Sequence, residues 1–440
     1  MVFLTLVNLC DLITNLSKLI KKPYHMMKRD NVLVTADYRT LTVLLGSSLF
    51  LTVARGLTLP FISLYLLKTG GYSFSVTGIV LTCSMMTGVL FGIYGSALTD
   101  RIDNKKALLA ATLVFGIGFF LIPLNHSIMW IVISFTLVNC AYPVISTGIK
   151  KQLSLISDAS ARSRYFSLNY TFINIGWVIS PPLAVWLVTV SASLTFFLSG
   201  GIALVTALLI ASLLKTAQSE NRSRANKPKP NFFVSGAMEM ALKDRRLIFF
   251  TLGSFFLSFV VARFSNCASQ YITFNSGEDL AYLILGIITP INAVVVVTLQ
   301  YFLGSKVNQG NLVRAVWLGA GLYIVALAVF MVANVHISCW IMGMVLFSIG
   351  EIILSPVEYV AVDAISSDEL KGTYFGVHNL STLGGAINPL ITGLMLAHGM
   401  PELLFPLMIG CMLFTLLCYG FLGPWTERRM HKLPRLTKSM

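Results

Sequence analysis

Twelve stretches of eighteen or more predominantly apolar residues run along this 440-residue chain. Each is long enough to cross roughly 30 Å of hydrocarbon as an α-helix. They fall at 41–67, 76–98, 106–124, 128–149, 165–190 and 193–214, and again at 247–273, 281–303, 312–333, 336–363, 373–397 and 401–424. The runs are continuously apolar rather than alternating, which excludes a membrane β-barrel. A soluble fold is excluded too, because 56% of the residues are hydrophobic and only 11% charged, whereas soluble domains carry about 25% charged residues. The expectation is an all-α membrane protein of twelve spans in two sets of six. The seven cysteines lie almost entirely inside these runs, with no CxxC spacing or paired histidines. They read as small apolar residues, and neither a metal nor a cofactor is expected. No nucleophile–base set converges in the sequence, so an enzyme is not expected.

The net charge of +14 invites a nucleic-acid reading until its placement is considered. With the N-terminus inside, 29 of the 32 Lys and Arg residues fall on cytoplasmic segments. Lys68 falls outside, and Arg55 and Arg263 lie within spans. That asymmetry orients membrane proteins and would collapse if the helix count shifted by one. It predicts both termini in the cytoplasm and a bacterial inner-membrane location. The basic surplus then meets anionic lipid, and no nucleic acid is expected. The organisation reads as an N-terminal extension over 1–40, a first bundle over 41–215, a hydrophilic linker over 216–246, a second bundle over 247–424 and a tail over 425–440. Residues 1–20 are moderately apolar, but Asp11, Asn15 and Lys18 interrupt them and no small-residue cleavage site follows. An interfacial helix and a true start at Met26 or Met27 both remain open.

The two sets of six repeat. Val53-Ala54-Arg55 recurs as Val261-Ala262-Arg263, 208 residues on; Gly95-Ser96 recurs as Gly304-Ser305, Tyr165-Phe166 as Tyr374-Phe375, and Gly176 as Gly385, each 209 on. Each match is weak alone, but four at offsets within one residue of each other, in corresponding helices, are not. Both sets start on the same side, so the repeat is parallel, with its axis along the membrane normal.

After the second span comes Gly95-Ser96-Ala97-Leu98-Thr99-Asp100-Arg101-Ile102-Asp103-Asn104-Lys105-Lys106. This segment resembles the signature loop of the major facilitator superfamily at Leu98, Asp100, Arg101 and Lys105. Ser96, Thr99, Asp103 and Asn104 depart from it. The resemblance implies that Asp100, Arg101 and Lys105 latch neighbouring helices by charge-assisted bonds. In the fifth span, Gly176 and Pro181 match the family's antiporter motif, and Ser180 and Ala184 replace glycines with other small residues. A closely packed, bent helix is expected there, and the likeness implies export. Val138-Asn139-Cys140-Ala141-Tyr142, the run from Asn169 to Trp177, and Ser355-Pro356-Val357-Glu358-Tyr359 are similar to an enterobacterial exporter linked to dipeptide, sugar-related and drug efflux. The resemblance covers nearly the whole chain beyond residue 30 and implies the twelve-helix major facilitator fold, working as a monomer.

Charges inside the membrane are costly and mark function. Arg55 and Arg263 lie deep in the first and seventh spans, and the acids deep in any span are Glu351 and Glu358, seven apart on one face of the tenth. Glu351 and Glu358 are therefore the expected proton-coupling groups. Arg263 is expected either as a permanent partner of Glu351 or as part of the substrate cavity. Arg55 needs a partner across the cavity, a substrate anion or water. Tyr142, Asn139, Asn169, Asn174, His378 and Asn379 are expected to line the cavity with the arginines. Tyr65, Tyr170, Trp177 and Asn388 are further polar or aromatic candidates. The function expected is proton-driven export of a small polar or amphipathic metabolite, dipeptide or drug. The alternatives are proton-coupled import of a small solute and a non-transporting receptor or scaffold.

Overall fold

The computed structural model describes residues 38–99, 103–157, 162–214, 235–304, 306–308, 310–366 and 371–420. Among them the structure is all-α. The first half runs α1 (Tyr38–Thr58), α2 (Ile62–Lys68), α3 (Phe74–Thr99), α4 (Asn104–Leu121), α5 (Ile128–Ile156), α6 (Arg162–Val190) and α7 (Ala192–Leu213). A short helix, α8 (Ser235–Lys243), leads into the second half. There α9 (Arg245–Val261), α10 (Phe264–Ser276), α11 (Glu278–Gly304), α12 (Leu312–Ala333), α13 (Ile337–Ile365), α14 (Lys371–His378), α15 (Leu383–Ala397) and α16 (Leu404–Gly420) follow. Eleven spans are long and apolar enough to cross a membrane, or twelve when the bent pair α9–α10 is counted as one. The helices form two six-helix bundles. Part of the expected linker is thus helical, from Ser235 to Lys243 and again from Arg245. Residues 216–234, the latch residues Asp100 and Arg101, the N-terminal extension and the tail 425–440 lie outside the described residues.

Lipid offers no hydrogen bonds, so every backbone group must be satisfied within the protein. Polar caps do this at helix starts: Asp103 accepts from Lys106 N at 2.9 Å, and Ser127 from Trp130 N at 3.4 Å. The prolines inside α5, α6, α11, α13 and α15 are tolerated within the bundles. Two spans break. The first does so between Thr58 and Ile62, beside Pro60, where Leu59 N donates to Arg55 O and Phe61 N to Thr58 O. The seventh bends by 45° between Val261 and Phe264. Both breaks lie near the repeated arginines: α1 ends at Thr58, three residues after Arg55, and Arg263 lies within the second break.

Within each half the first span packs on the fifth in the same way. A Cβ on Gly176 would stand 2.8 Å from Thr52 Cβ, and one on Gly385 would stand 2.6 Å from Ala262 Cβ. Gly56 meets Ser180 more closely still. The small residues at 176, 180 and 184 therefore let α6 lie against α1, with Ser180 and Ala184 fully buried. Asn104 does comparable work between α4 and α5, donating to Gly148 O at 2.9 Å.

The bundles meet along α3–α15 and α6–α11. Gly78 lies against the Pro389 carbonyl and Gly393 against the Phe74 carbonyl, so the two backbones touch directly. Leu390 N donates to Thr82 Oγ1 at 3.1 Å, the Phe61 and Tyr282 rings stack at 5.5 Å, and Lys68 pairs with Glu278 at 2.9 Å. All these contacts lie toward the end of the bundles marked by Lys68 and Glu278, which is therefore the closed end.

At the other end Asp244 caps α9 through Arg246 N at 3.0 Å. It also holds the Arg246 guanidinium at 3.0 and 2.8 Å, and accepts from the Tyr374 hydroxyl at 3.0 Å. Burial pushes this carboxyl up, but the Arg246 and Tyr374 contacts outweigh burial and leave it below the ordinary aspartate range. A carboxyl lowered in the folded state stabilises the protein at neutral pH, and the contribution is lost as pH falls through the folded value. Asp244→Asn should therefore lower detergent-solubilised stability at pH 7 by about 1–3 kcal/mol. The gap to the wild type should close as pH falls below about 4. Thermal unfolding across pH reads both.

Candidate functional site

A cavity of about 400 Å³ lies between the bundles, walled by the first, fifth, seventh, eighth and tenth spans. Both deep arginines reach it. Arg55 comes from the end of α1 and Arg263 from the break between α9 and α10, so each sits where its helix is interrupted. Irregular backbone at membrane depth is tolerated where it is buried in protein or lines a water-filled cavity. Residues of both breaks line this cavity.

The Arg55 guanidinium lies over the Tyr142 ring, 3.5 Å from its centroid, with Trp177 at 5.9 Å. Placing an arginine at mid-membrane costs about 3 kcal/mol on insertion scales, and a desolvated cation–π contact returns about 2 kcal/mol. Tyr142 thus offsets most of the cost for Arg55. Among the described residues, Arg263 has neither such a ring beneath it nor an acid within ion-pair distance. Arg55 is close enough for the two like charges to repel.

Glu351 sits near the middle of the 29-residue α13 and forms part of the same wall. The expected Arg263–Glu351 pair is not made. Glu351 Oε2 instead accepts from Asn292 Nδ2 at 2.9 Å, and that amide also reaches Ser348 Oγ at 3.0 Å. Asn292 on α11 supplies one hydrogen bond to the carboxylate, with no counter-ion beside it among the described residues. The other titratable groups around Glu351 are Tyr170 from α6 and Tyr323 from α12. Arg55 and Arg263 occupy the remaining walls.

Glu358, two turns on, is not on this cavity. Its neighbours are Ser254 on α9, Tyr419 on α16 and Tyr323. The shared helix face runs out of the cavity and under these helices, with Pro356 in between. Asn174 is on the cavity wall, and its amide donates to Tyr170 O at 2.8 Å. Tyr142 supports Arg55 from behind, and with Asn169 it lines a small adjoining crevice where Ser48 Oγ donates to Asn169 Oδ1 at 2.5 Å.

Three expected cavity residues lie elsewhere. Asn139 packs inside the first bundle, bonded to Phe135 O at 2.9 Å and seated on Gly88. His378 is buried with its ring stacked on Phe250 at 5.1 Å. Asn379 is exposed in the turn that joins α14 to α15. Polarity alone placed these three in the cavity, and it does not distinguish helix faces. Of the latch residues, Lys105 is half-buried near the start of α4.

The sequence reading missed Asn292, Thr289 and Asn266, all on the cavity wall. Asn292 carried a usable signal, as an amide in the middle of the apolar run 281–303 directly after Pro290-Ile291, where the run's other amide, Gln300, lies near its end.

Two six-helix bundles closing on a charged central cavity define a polytopic secondary transporter. The sequence profile described as Major Facilitator Superfamily matches residues 44–389, and the chain belongs to that family. It therefore moves small molecules across a membrane as a multi-pass secondary carrier rather than as an enzyme. It is 34% identical over 367 residues to the "Uncharacterized MFS-type transporter YdeE" of Escherichia coli (strain K12), covering 83% of this chain and 91% of that one. With the "Quinolone resistance protein NorA" of Staphylococcus aureus (strain MRSA252) it shares 19% identity over 234 residues, 52% of this chain and 58% of that one. Among solved structures it resembles the nucleoside transporter NupG with a TM-score of 0.71 at 12% identity, over 90% of this chain and 100% of that one. A bacterial homologue of the human lysosomal transporter Spinster, in an inward-facing and unoccupied conformation, gives 0.69 at 13%, over 92% and 100%.

The cavity assignment is testable by chemistry. In a background with the native cysteines replaced, Tyr170→Cys and Ser265→Cys, at accessible positions of the wall, should react with a water-soluble thiol reagent, while Asn388→Cys, fully buried, should not. Equal labelling of all three would contradict the wall described.

Proposed function

We propose that the chain is a proton-coupled exporter of a small polar or amphipathic metabolite, dipeptide or drug, in which Glu351 carries the proton. The observation that supports this most is the partner of Glu351. A carboxylate locked to an arginine would stay ionised, because separating a buried ion pair is costly. Asn292 is neutral, and its amide can donate to a carboxylate or to the carbonyl oxygen of a carboxylic acid. Glu351 can therefore change protonation state without breaking its support. Glu358 lies between Glu351 and the α9–α16 side, and serves as a second proton-accepting group.

Transport would proceed by rocking of the bundles about the cavity, with the Lys68–Glu278 end closed in one state and open in the other. Asp100, Arg101 and Lys105 would latch the opposite end. Export as the direction draws support from the close-packed fifth span at Gly176, Ser180, Pro181 and Ala184, and from the quinolone resistance in the name of one relative. The carrier is placed in the bacterial inner membrane as a monomer, with both termini in the cytoplasm.

Inside-out vesicles with an acidic lumen should accumulate norfloxacin until nigericin collapses the gradient. Glu351→Gln should lose that accumulation and keep exchange of norfloxacin down its own gradient. Proton-driven accumulation in right-side-out vesicles alone would make the carrier an importer. Unimpaired accumulation by Glu351→Gln, with loss in Glu358→Gln, would move the proton site two turns along α13.

A further inference from the structure

The cavity holds both signs of charge without letting them neutralise each other. Arg55 is stacked on Tyr142, Arg263 faces the cavity with no acid within ion-pair distance among the described residues, and Glu351 is held by Asn292. Charges arranged in this way at membrane depth are unfavourable unless water or a ligand completes them. Trp177, Phe264, Phe347 and Met344 supply apolar surface on the same walls.

We infer that the substrate is a zwitterion with an aromatic or apolar body: an oxyanion, such as a carboxylate, sits between Arg55 and Arg263, and an ammonium group meets Glu351. A simple cation would leave two arginines uncompensated and be repelled by them. A simple anion would leave Glu351 desolvated with only an amide for support. The zwitterion satisfies both, and Arg263 is the group that gains most, since Arg55 already has its ring. Its ammonium group and the transported proton then compete for one carboxylate, which makes the exchange obligatory. This inference rests on reading the central cavity as the transport site and narrows what that site accepts.

Four ligands with one indole body and different ends test it: L-tryptophan, N-acetyl-tryptophan, tryptophanamide and N-acetyl-tryptophanamide. Binding to the purified full-length protein in detergent, followed by ligand-induced thermal shift and equilibrium dialysis, should rank tryptophan first. Loss of either charge should weaken binding about tenfold or more. Arg263→Gln and Arg55→Gln should make tryptophan no better than tryptophanamide, while Arg263→Lys keeps part of the preference and reports that the fold survives. Glu351→Gln should make tryptophan no better than N-acetyl-tryptophan.

The inference is overturned if tryptophanamide or N-acetyl-tryptophan binds as tightly as tryptophan to the unaltered protein. It is also overturned if the preferences persist in the variants, or if none of the four binds at millimolar concentration. The assay needs no gradient, so its outcome is separate from the direction and driving ion of transport. A protein that shows these preferences yet carries tryptophan without proton coupling would remove the proton reading alone.

Discussion

The absence of hydrogen-bonding solvent in the bilayer governs this structure. Helix is the form in which a span satisfies its own backbone groups, and an interruption at membrane depth is tolerated only where protein or a water-filled cavity takes up the freed groups. The first and seventh spans each break near one of the two deep arginines, Arg55 in the last turn of α1 and Arg263 between α9 and α10. A broken helix lets a long charged side chain leave the bundle interior and enter the cavity. The same constraint makes the cavity the place where charge can be tolerated, so Glu351 and Asn292 collect there as well.

The second feature is how the bundles touch. Glycines at 78, 286 and 393 bring helices together across the closed end, two of them against backbone carbonyls. Such contacts are held by dispersion and close fit rather than by strong bonds. They can separate as a unit when the bundles rock, and the exposed Lys68–Glu278 pair adds little to their strength, because ion pairs at such positions are worth about 1 kcal/mol or less. Inside each bundle the packing is of the same kind but is backed by hydrogen bonds such as Asn388 to Phe259 O at 2.8 Å and Ser254 to Tyr419 at 2.6 Å. The bundles therefore hold together more firmly than they hold to each other.

Much of the fold was legible because apolar length and the distribution of basic residues report directly on the lipid environment. The repeat at 208–209 residues was legible because each half needs the same small residue where its first span packs on its fifth, as Gly176 and Gly385 show. The site was only partly legible. Arg55, Arg263 and Glu351 stood out because charge at membrane depth is rare, and all three reach one cavity. The Arg263–Glu351 pair failed because opposite charge was the only criterion applied, and it overlooked the neutral amide at Asn292. Asn139, His378 and Asn379 failed because a polar residue in a membrane helix can be satisfied by its own backbone or by packing, as Asn139 is through Phe135 O. Helix facing could have been read more closely for Glu358, but the crossing of α13 under α9 and α16 is a tertiary fact that a helical wheel does not contain.

The central claim is that proton and substrate share Glu351. Proton release on ligand binding tests it most directly: L-tryptophan is added to the purified protein in weakly buffered solution near neutral pH, and the proton count is followed with a pH indicator. The account predicts release of protons on binding, abolished in Glu351→Gln even when the tryptophan concentration is raised to fill the weakened site. Proton uptake on binding, or release undiminished in Glu351→Gln, would contradict it.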